Sequence, residues 1–359
     1  MGTRRSIAYA AGGLAAAAAA ALATGVVVER RVVKARRSGA AEADRLGALR
    51  SEPLSVTCDD GVELYAEVDE VAPYAGGKRP RRKDVTLVFV HGYALNLDCW
   101  HFQREAFRGK HRMVFFDQRS HGRSERSDRE HATIDQLGDD LAVVIEQLAP
   151  KGKVVLVGHS MGGMSIIAFA ERHPEQFARR VAGVGLVATT AGNMKVHRTV
   201  SRWIPDRVGQ VVAPRVIAAL AKAPELVDSA RRSGSNIGFL VADMFAFGSK
   251  DVPAAQVEFL DEMLAGTSFD VLAEFFPNFS ALDKFEYLAS FAEVPTTIIC
   301  GTKDKLTSIG HSRKMADRLP AAKLVVCEGA GHMVIFEAHD QVNAALEDLM
   351  VAASGSGPA

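Results

Sequence analysis

From Val85 onward the chain alternates between short unbroken apolar runs and longer stretches whose apolar residues recur every three or four positions. The runs VTLVFV (85–90), HRMVFFD (111–117), KVVLVG (153–158) and VAGVGLVAT (181–189) predict strands, and their continuity predicts cover on both faces. Between them, IDQLGDDLAVVIEQLAP (134–150) and GMSIIAFAERHP (163–174) carry helical spacing. After Thr190 the alternation stops until residue 290, giving way to a helix-patterned, Phe-rich stretch. It resumes with the strand TTIICG (296–301), the helix HSRKMADRLP (311–320), the strand AKLVVCEG (322–329) and the helix HDQVNAALEDLM (339–350). Such alternation predicts a doubly wound, mostly parallel α/β sheet built from residues 53–190 and 291–353, with a helical cap, 191–290, inserted between the two parts.

Upstream, SVTCDDGVELYAEV (55–68) has two alternating runs joined by Asp59-Asp60-Gly61, which predicts a hairpin. Residues 38–52 read as a linker and 354–359 as a frayed tail. The basic cluster Lys78, Arg79, Arg81, Arg82 and Lys83 reads as a solvated loop. Residues 1–37 stand apart: Ile7 to Val28 is an uncharged run of 22 residues, long enough to span a bilayer, with Arg4 and Arg5 before it and a fuller basic flank after it. A membrane anchor, a signal peptide and a twin-Arg signal all fit. Ala21-Leu22-Ala23 favours cleavage and export. The apolar continuation through Val28 favours an anchor, and the basic flank behind it favours a cytoplasmic catalytic domain.

Composition narrows the function classes. Lys+Arg and Asp+Glu both total 43, so the whole chain offers no basic surface to draw nucleic acid. The four cysteines are widely spaced without any CxxC, which argues against a disulfide scaffold or a zinc site and for free thiols. Ten of the eighteen Phe lie at or within a residue of the insertion, which points to an apolar pocket under the cap as well as to the cap's own packing.

The chemistry centres on GHSMGG (158–163), where an apolar strand passes without a loop into a helix. A Ser forced onto so sharp a turn exposes its hydroxyl above the sheet, and Gly158, Gly162 and Gly163 are the small neighbours that permit the bend. Ser160 is therefore the expected nucleophile, and the helix N-terminus offers the Met161 N–H to a developing oxyanion. The hydroxyl needs a base, and the base an acid to hold its tautomer, both beyond the carboxyl ends of later strands. Asp304 in CGTKD and His332 in EGAGH meet that requirement in the order Ser, acid, His; a turn Asp bonding its own backbone and a plain loop His are the other uses of such residues. The Tyr93 N–H, after VTLVFVHG, is the expected second oxyanion donor, with its ring forming a pocket wall. His91 is expected to brace that loop, His159 to point away from the Ser160 hydroxyl, and Arg119 with Arg123 in FDQRSHGRSE to stabilise a turn around Gly122.

Taken together, HGY, DQRSHGRS, GHSMGG, GTKD and GAGH resemble the α/β-hydrolase superfamily over roughly residues 53–353, within it the serine esterase and lipase branch that also holds non-haem haloperoxidase-like enzymes. The resemblance implies an acyl-enzyme mechanism on a small apolar ester, with no cofactor. Ser160 stands where epoxide hydrolases and haloalkane dehalogenases carry an Asp, which disfavours those two activities. Ser308 stands where many relatives have a Pro after the acid. Hydrolysis, acyl or peroxide transfer with the same triad, and a non-catalytic binding role on this fold are the three expectations the sequence carries.

Overall fold

A computed structural model describes residues 46–73, 85–194, 246–249 and 251–355. The hairpin forms as expected from β1 (Pro53–Thr57) and β2 (Glu63–Asp69), with Val56 opposite Leu64. Gly61 turns the corner at φ +86°, and the Cys58 N–H donates to the Val62 carbonyl at 2.9 Å. The remaining strands are β3 (Val85–Val90), β4 (Arg112–Phe116), β5 (Lys153–His159), β6 (Val181–Val187), β7 (Thr296–Gly301) and β8 (Lys323–Cys327). One sheet of eight strands results, in the order β1-β2-β4-β3-β5-β6-β7-β8. The β1–β2 and β2–β4 pairings are antiparallel and all others parallel. The order reverses at β3, whose two neighbours follow it in sequence, so the crevice beyond the ends of β3 and β5 is the switch point where such sheets bind ligands.

Nine helices lie among the described residues: α1 (His101–Phe107), α2 (Ile134–Leu148), α3 (Met161–Arg172), α4 (Pro174–Arg180), α5 (Ala254–Gly266), α6 (Phe269–Ala281), α7 (Ile309–Arg318), α8 (Val334–Glu337) and α9 (His339–Ala353). Alternate strand residues go to opposite faces of the sheet. Leu87, Phe89, Phe115, Val155 and Val157 join Trp100, Phe107 of α1 and Val342, Leu346 and Leu349 of α9. Val88, Val90, Phe116, Val154 and Leu156 join Leu141 and Ile145 of α2, Ile166 and Phe169 of α3, and Met315 of α7. Two buried faces explain why the strands read as continuous apolar runs. Chain chemistry sets the helix ends: the Thr133 hydroxyl caps α2 by accepting the Gln136 N–H. α3 stops at Arg172, and Pro174 then takes the first position of α4.

Some expectations change. The short helices α1, of seven residues, and α8, of four, carry too little periodicity to be read from sequence. Residues 46–52 of the expected linker are fastened to the body: Arg50 pairs with Asp98, and the Ser51 N–H donates to Glu67 at 2.8 Å. Of the expected cap 191–290, residues 195–245 and 250 lie outside the described residues; the described part holds α5, α6 and a 3₁₀ turn, Phe285–Phe291. Phe285, Leu288 and Phe291 of that turn belong to the main core, where the Phe291 ring lies 5.2 Å from that of Phe177. The run Ile7–Val28, the basic loop and the tail beyond 355 also lie outside the described residues, and among those described no helix is long and apolar enough to cross a membrane. All four cysteines are buried and free.

Candidate active site

β5 ends at His159 and α3 begins at Met161, leaving Ser160 alone between them at φ 52°, ψ −117°. Non-glycine residues enter that region only where the surroundings hold them. Here the Ser160 N–H donates to the Val187 carbonyl at 2.9 Å, and the Ser160 carbonyl accepts the Gly163 N–H at 3.0 Å and the Thr189 hydroxyl at 2.6 Å. The bend needs bare backbone: a Cβ on Gly158 would lie 2.6 Å from the Gly162 carbonyl carbon, and one on Gly162 only 2.1 Å from the Val90 oxygen. As the first residue of α3, Met161 points its N–H out of the helix with no carbonyl of that helix to receive it.

Asp304 and His332 come from two neighbouring loops, after β7 and after β8. His332 Nδ1 lies 2.9 Å from Asp304 Oδ2, and both residues are buried. Asp304 closes its own turn, because its Oδ1 accepts the Leu306 and Thr307 N–H groups at 2.8 and 2.9 Å, and its Oδ2 also faces the His332 ring. Burial works against its charge, yet the His332 ring and the bonds from His332 and Thr307 outweigh burial and hold the carboxyl below its ordinary range. Thr307, which sequence reasoning missed, puts its hydroxyl 2.7 Å from the Ala188 carbonyl and 2.9 Å from Asp304 Oδ2, joining the acid loop to the end of β6. Its bond to Ala188 spans 119 positions, so no local pattern marks it.

His159 turns away from Ser160 as expected. Its Nε2 lies 3.0 Å from the His332 carbonyl oxygen, which ties the Ser160 turn to the His332 loop. Burial, together with the adjacent His332 ring, lowers its pKa to about 3, so it stays neutral near pH 7. His91 braces the Gly92–Tyr93 loop: Nδ1 lies 2.8 Å from the Gly92 oxygen, and Nε2 accepts the Gln118 N–H at 2.9 Å. Gln118, hidden in a motif read only as a turn, donates its amide to the His91 carbonyl at 2.7 Å. Its own oxygen accepts the Ser165 hydroxyl at 2.9 Å, and that hydroxyl sits 3.0 Å from the Met161 carbonyl. One buried amide thus links the loop bearing Tyr93 to the first turn of α3. The turn after β4 is stabilised as expected, by Arg119 bound to Asp140 and Asp60 and Arg123 bound to Asp98.

Beside the Ser160 turn lies a buried apolar cluster. Met161 and Met164 of α3 pack with Val271, Phe275 and Phe279 of α6, with Tyr93 at the edge. The Tyr93 ring meets that of Phe279 at 4.9 Å, edge to face, and its hydroxyl donates to the Leu272 carbonyl. Tyr93 thereby ties the loop after β3 to α6. The arrangement presents a serine at a helix N-terminus and an imidazole held by a buried carboxylate, parts that acyl transfer to and from a hydroxyl requires.

The model of the alpha/beta hydrolase family matches residues 87–345. The dihydrolipoyllysine-residue acetyltransferase component of the acetoin cleaving system of Pseudomonas putida is 26% identical over 72% of this chain, which spans only 61% of that relative's length. A non-heme haloperoxidase of Rhodococcus erythropolis is 27% identical over 81% of this chain and 97% of its own. The fold is also that of a thermophilic esterase from Thermogutta terrifontis, with TM-score 0.61, 21% identity, 85% of this chain and 100% of that one covered.

Proposed function

The chain belongs to the alpha/beta hydrolase family, and on that footing we propose that it is a serine hydrolase cleaving carboxylic esters of apolar acyl chains. One observation carries the reading: Ser160 held at positive φ on a helix N-terminus in the same fold as a buried Asp304–His332 pair at 2.9 Å. Ser160 Oγ attacks the ester carbonyl carbon while His332 Nε2 takes its proton, and Asp304 orients the ring and stabilises the imidazolium. The N–H groups of Met161 and Tyr93 receive the oxyanion. Collapse expels the alkoxide, which takes the proton from His332 and leaves as the alcohol. Water, deprotonated by His332, then attacks the acyl-enzyme and releases the acid and Ser160.

A fluorophosphonate probe should label the protein at Ser160 and fail to label Ser160→Ala; equal labelling of both would move the nucleophile elsewhere. The apolar cluster of Met161, Phe275 and Phe279 next to Ser160 supports medium or long acyl chains over acetyl, by roughly 1 kcal/mol for the first buried methylenes. A flat rate profile from acetyl to decanoyl esters would remove that part of the reading.

A second reading keeps every residue and delivers the acyl group to an acceptor other than water. Relatives named as an acetyltransferase component and a non-heme haloperoxidase favour it. Product partition with a competing alcohol or peroxide separates the two, since a transferase makes more transfer product than the acceptor's share predicts. The uncharged run Ile7–Val28 supports a membrane-tethered form. Fractionation with and without residues 1–37 tests it, and full-length protein found only in the soluble fraction would reject it.

A further inference from the structure

We infer that Glu337 is a positioning residue for the base: its carboxylate fastens the loop bearing His332 to residues 246–249, midway along the insertion between β6 and β7. The inference rests on the reading of His332 as the base. Glu337 ends α8, the single turn that follows the His332 loop, and its half-buried side chain reaches back over that loop. Oε1 accepts the Gly331 N–H at 2.6 Å, and Oε2 accepts the N–H groups of Gly248 and Ser249 at 2.9 and 3.1 Å. On the other side of His332, the Met333 N–H donates to the Ala246 carbonyl at 2.9 Å. The residues flanking the base are thus both bonded toward 246–249, Met333 directly and Gly331 through Glu337.

The contact beneath these bonds is backbone on backbone. A Cβ on Gly248 would lie 2.4 Å from the Gly329 oxygen and 2.5 Å from the Gly331 nitrogen, and one on Gly331 would lie 2.4 Å from the Gly248 nitrogen. With no side chain between the two segments to absorb a shift, a displacement of 246–249 is passed to the His332 loop. A carboxylate suits this place because it only accepts: three N–H donors converge on it, and the amide of a Gln would turn donors of its own toward at least one of them. Burial pushes the Glu337 carboxyl above its ordinary range, with the three N–H groups acting against burial. The position therefore carries a desolvation cost that an exposed Glu would not.

A misplacement of about 1 Å at a catalytic group costs on the order of 10²-fold in rate. Glu337→Gln should lower kcat by about 10- to 100-fold with KM within about twofold, and Glu337→Asp, which keeps the acceptor, should recover part of the loss. The low-field proton resonance of the His332–Asp304 hydrogen bond should shift in Glu337→Gln, a signature that a purely scaffolding residue would leave in place. Wild-type kcat with an unmoved resonance would overturn the inference, as would a loss that disappears once the assay is run well below the variant's Tm. Should Glu337→Gln fail to fold, Glu337→Asp carries the same two readouts. Failure of the underlying reading looks different, because there His332→Ala itself would keep wild-type turnover.

Discussion

At Asp304 a single carboxylate does two jobs, closing its own turn through Oδ1 and holding the His332 ring through Oδ2. The two jobs make separate predictions. Asp304→Asn leaves the turn acceptor in place but offers an amide to the ring and favours the wrong tautomer, so kcat should fall by on the order of 10⁴-fold; stopped assays on a fast ester would read it. The carboxyl's folded pKa is depressed, chiefly by His332 acting against burial. The ionised form therefore adds stability above the unfolded carboxylate pKa, and that contribution is lost as pH falls through the depressed value. Thermal melts of wild type and Asp304→Asn should converge below about pH 4; a constant gap from pH 7 downward would contradict the sign. His332→Ala should cost on the order of 10³-fold or more in turnover, and combining it with Ser160→Ala should cost little beyond the larger single effect, because the triad acts as a unit.

The strand-to-helix turn is the element that holds Ser160, the proposed nucleophile, and its local requirement is space. Gly162→Ala would drive a Cβ to 2.1 Å from the Val90 carbonyl oxygen, a backbone atom that cannot swing aside. The expected loss is about 1–3 kcal/mol of stability from overpacking, measured by urea unfolding, together with reduced phosphonate labelling. This element was legible because every constraint on it is local: the apolar strand, the glycines and the helical run adjoin in sequence. The loop after β3 was legible only in part. Tyr93 could be named from its place after β3, but Gln118, lying 27 positions from His91, could not be tied to that loop, because a bond at that separation leaves no trace in local pattern. The Thr307 bond to Ala188 and the Glu337 bond to Gly248 escaped notice for the same reason.

At the scale of the whole molecule, Arg119 joins three pieces: the hairpin turn through Asp60, helix α2 through Asp140, and its own loop after β4. Its side chain is fully buried, so Arg119→Ala would strand the Asp140 carboxylate. We expect a loss of about 3–5 kcal/mol, read as a fall in the urea midpoint, whereas Arg126→Ala, whose ion pairs with Asp270 and Glu274 are largely exposed, should cost less than about 1 kcal/mol. The sequence by itself determined the sheet class, the hairpin, the nucleophile turn and the order of Ser160, Asp304 and His332, because periodicity, turn chemistry and strand ends are properties of adjacent residues. Tertiary structure alone decided three further things: that Phe285 and Phe291 fill the main core while Phe275 and Phe279 cover α3, that His159 grips the His332 loop, and that Arg119 reaches two carboxylates. Those outcomes depend on which distant segments meet, and an apolar ring or a buried charge reads the same in sequence whichever surface it will face.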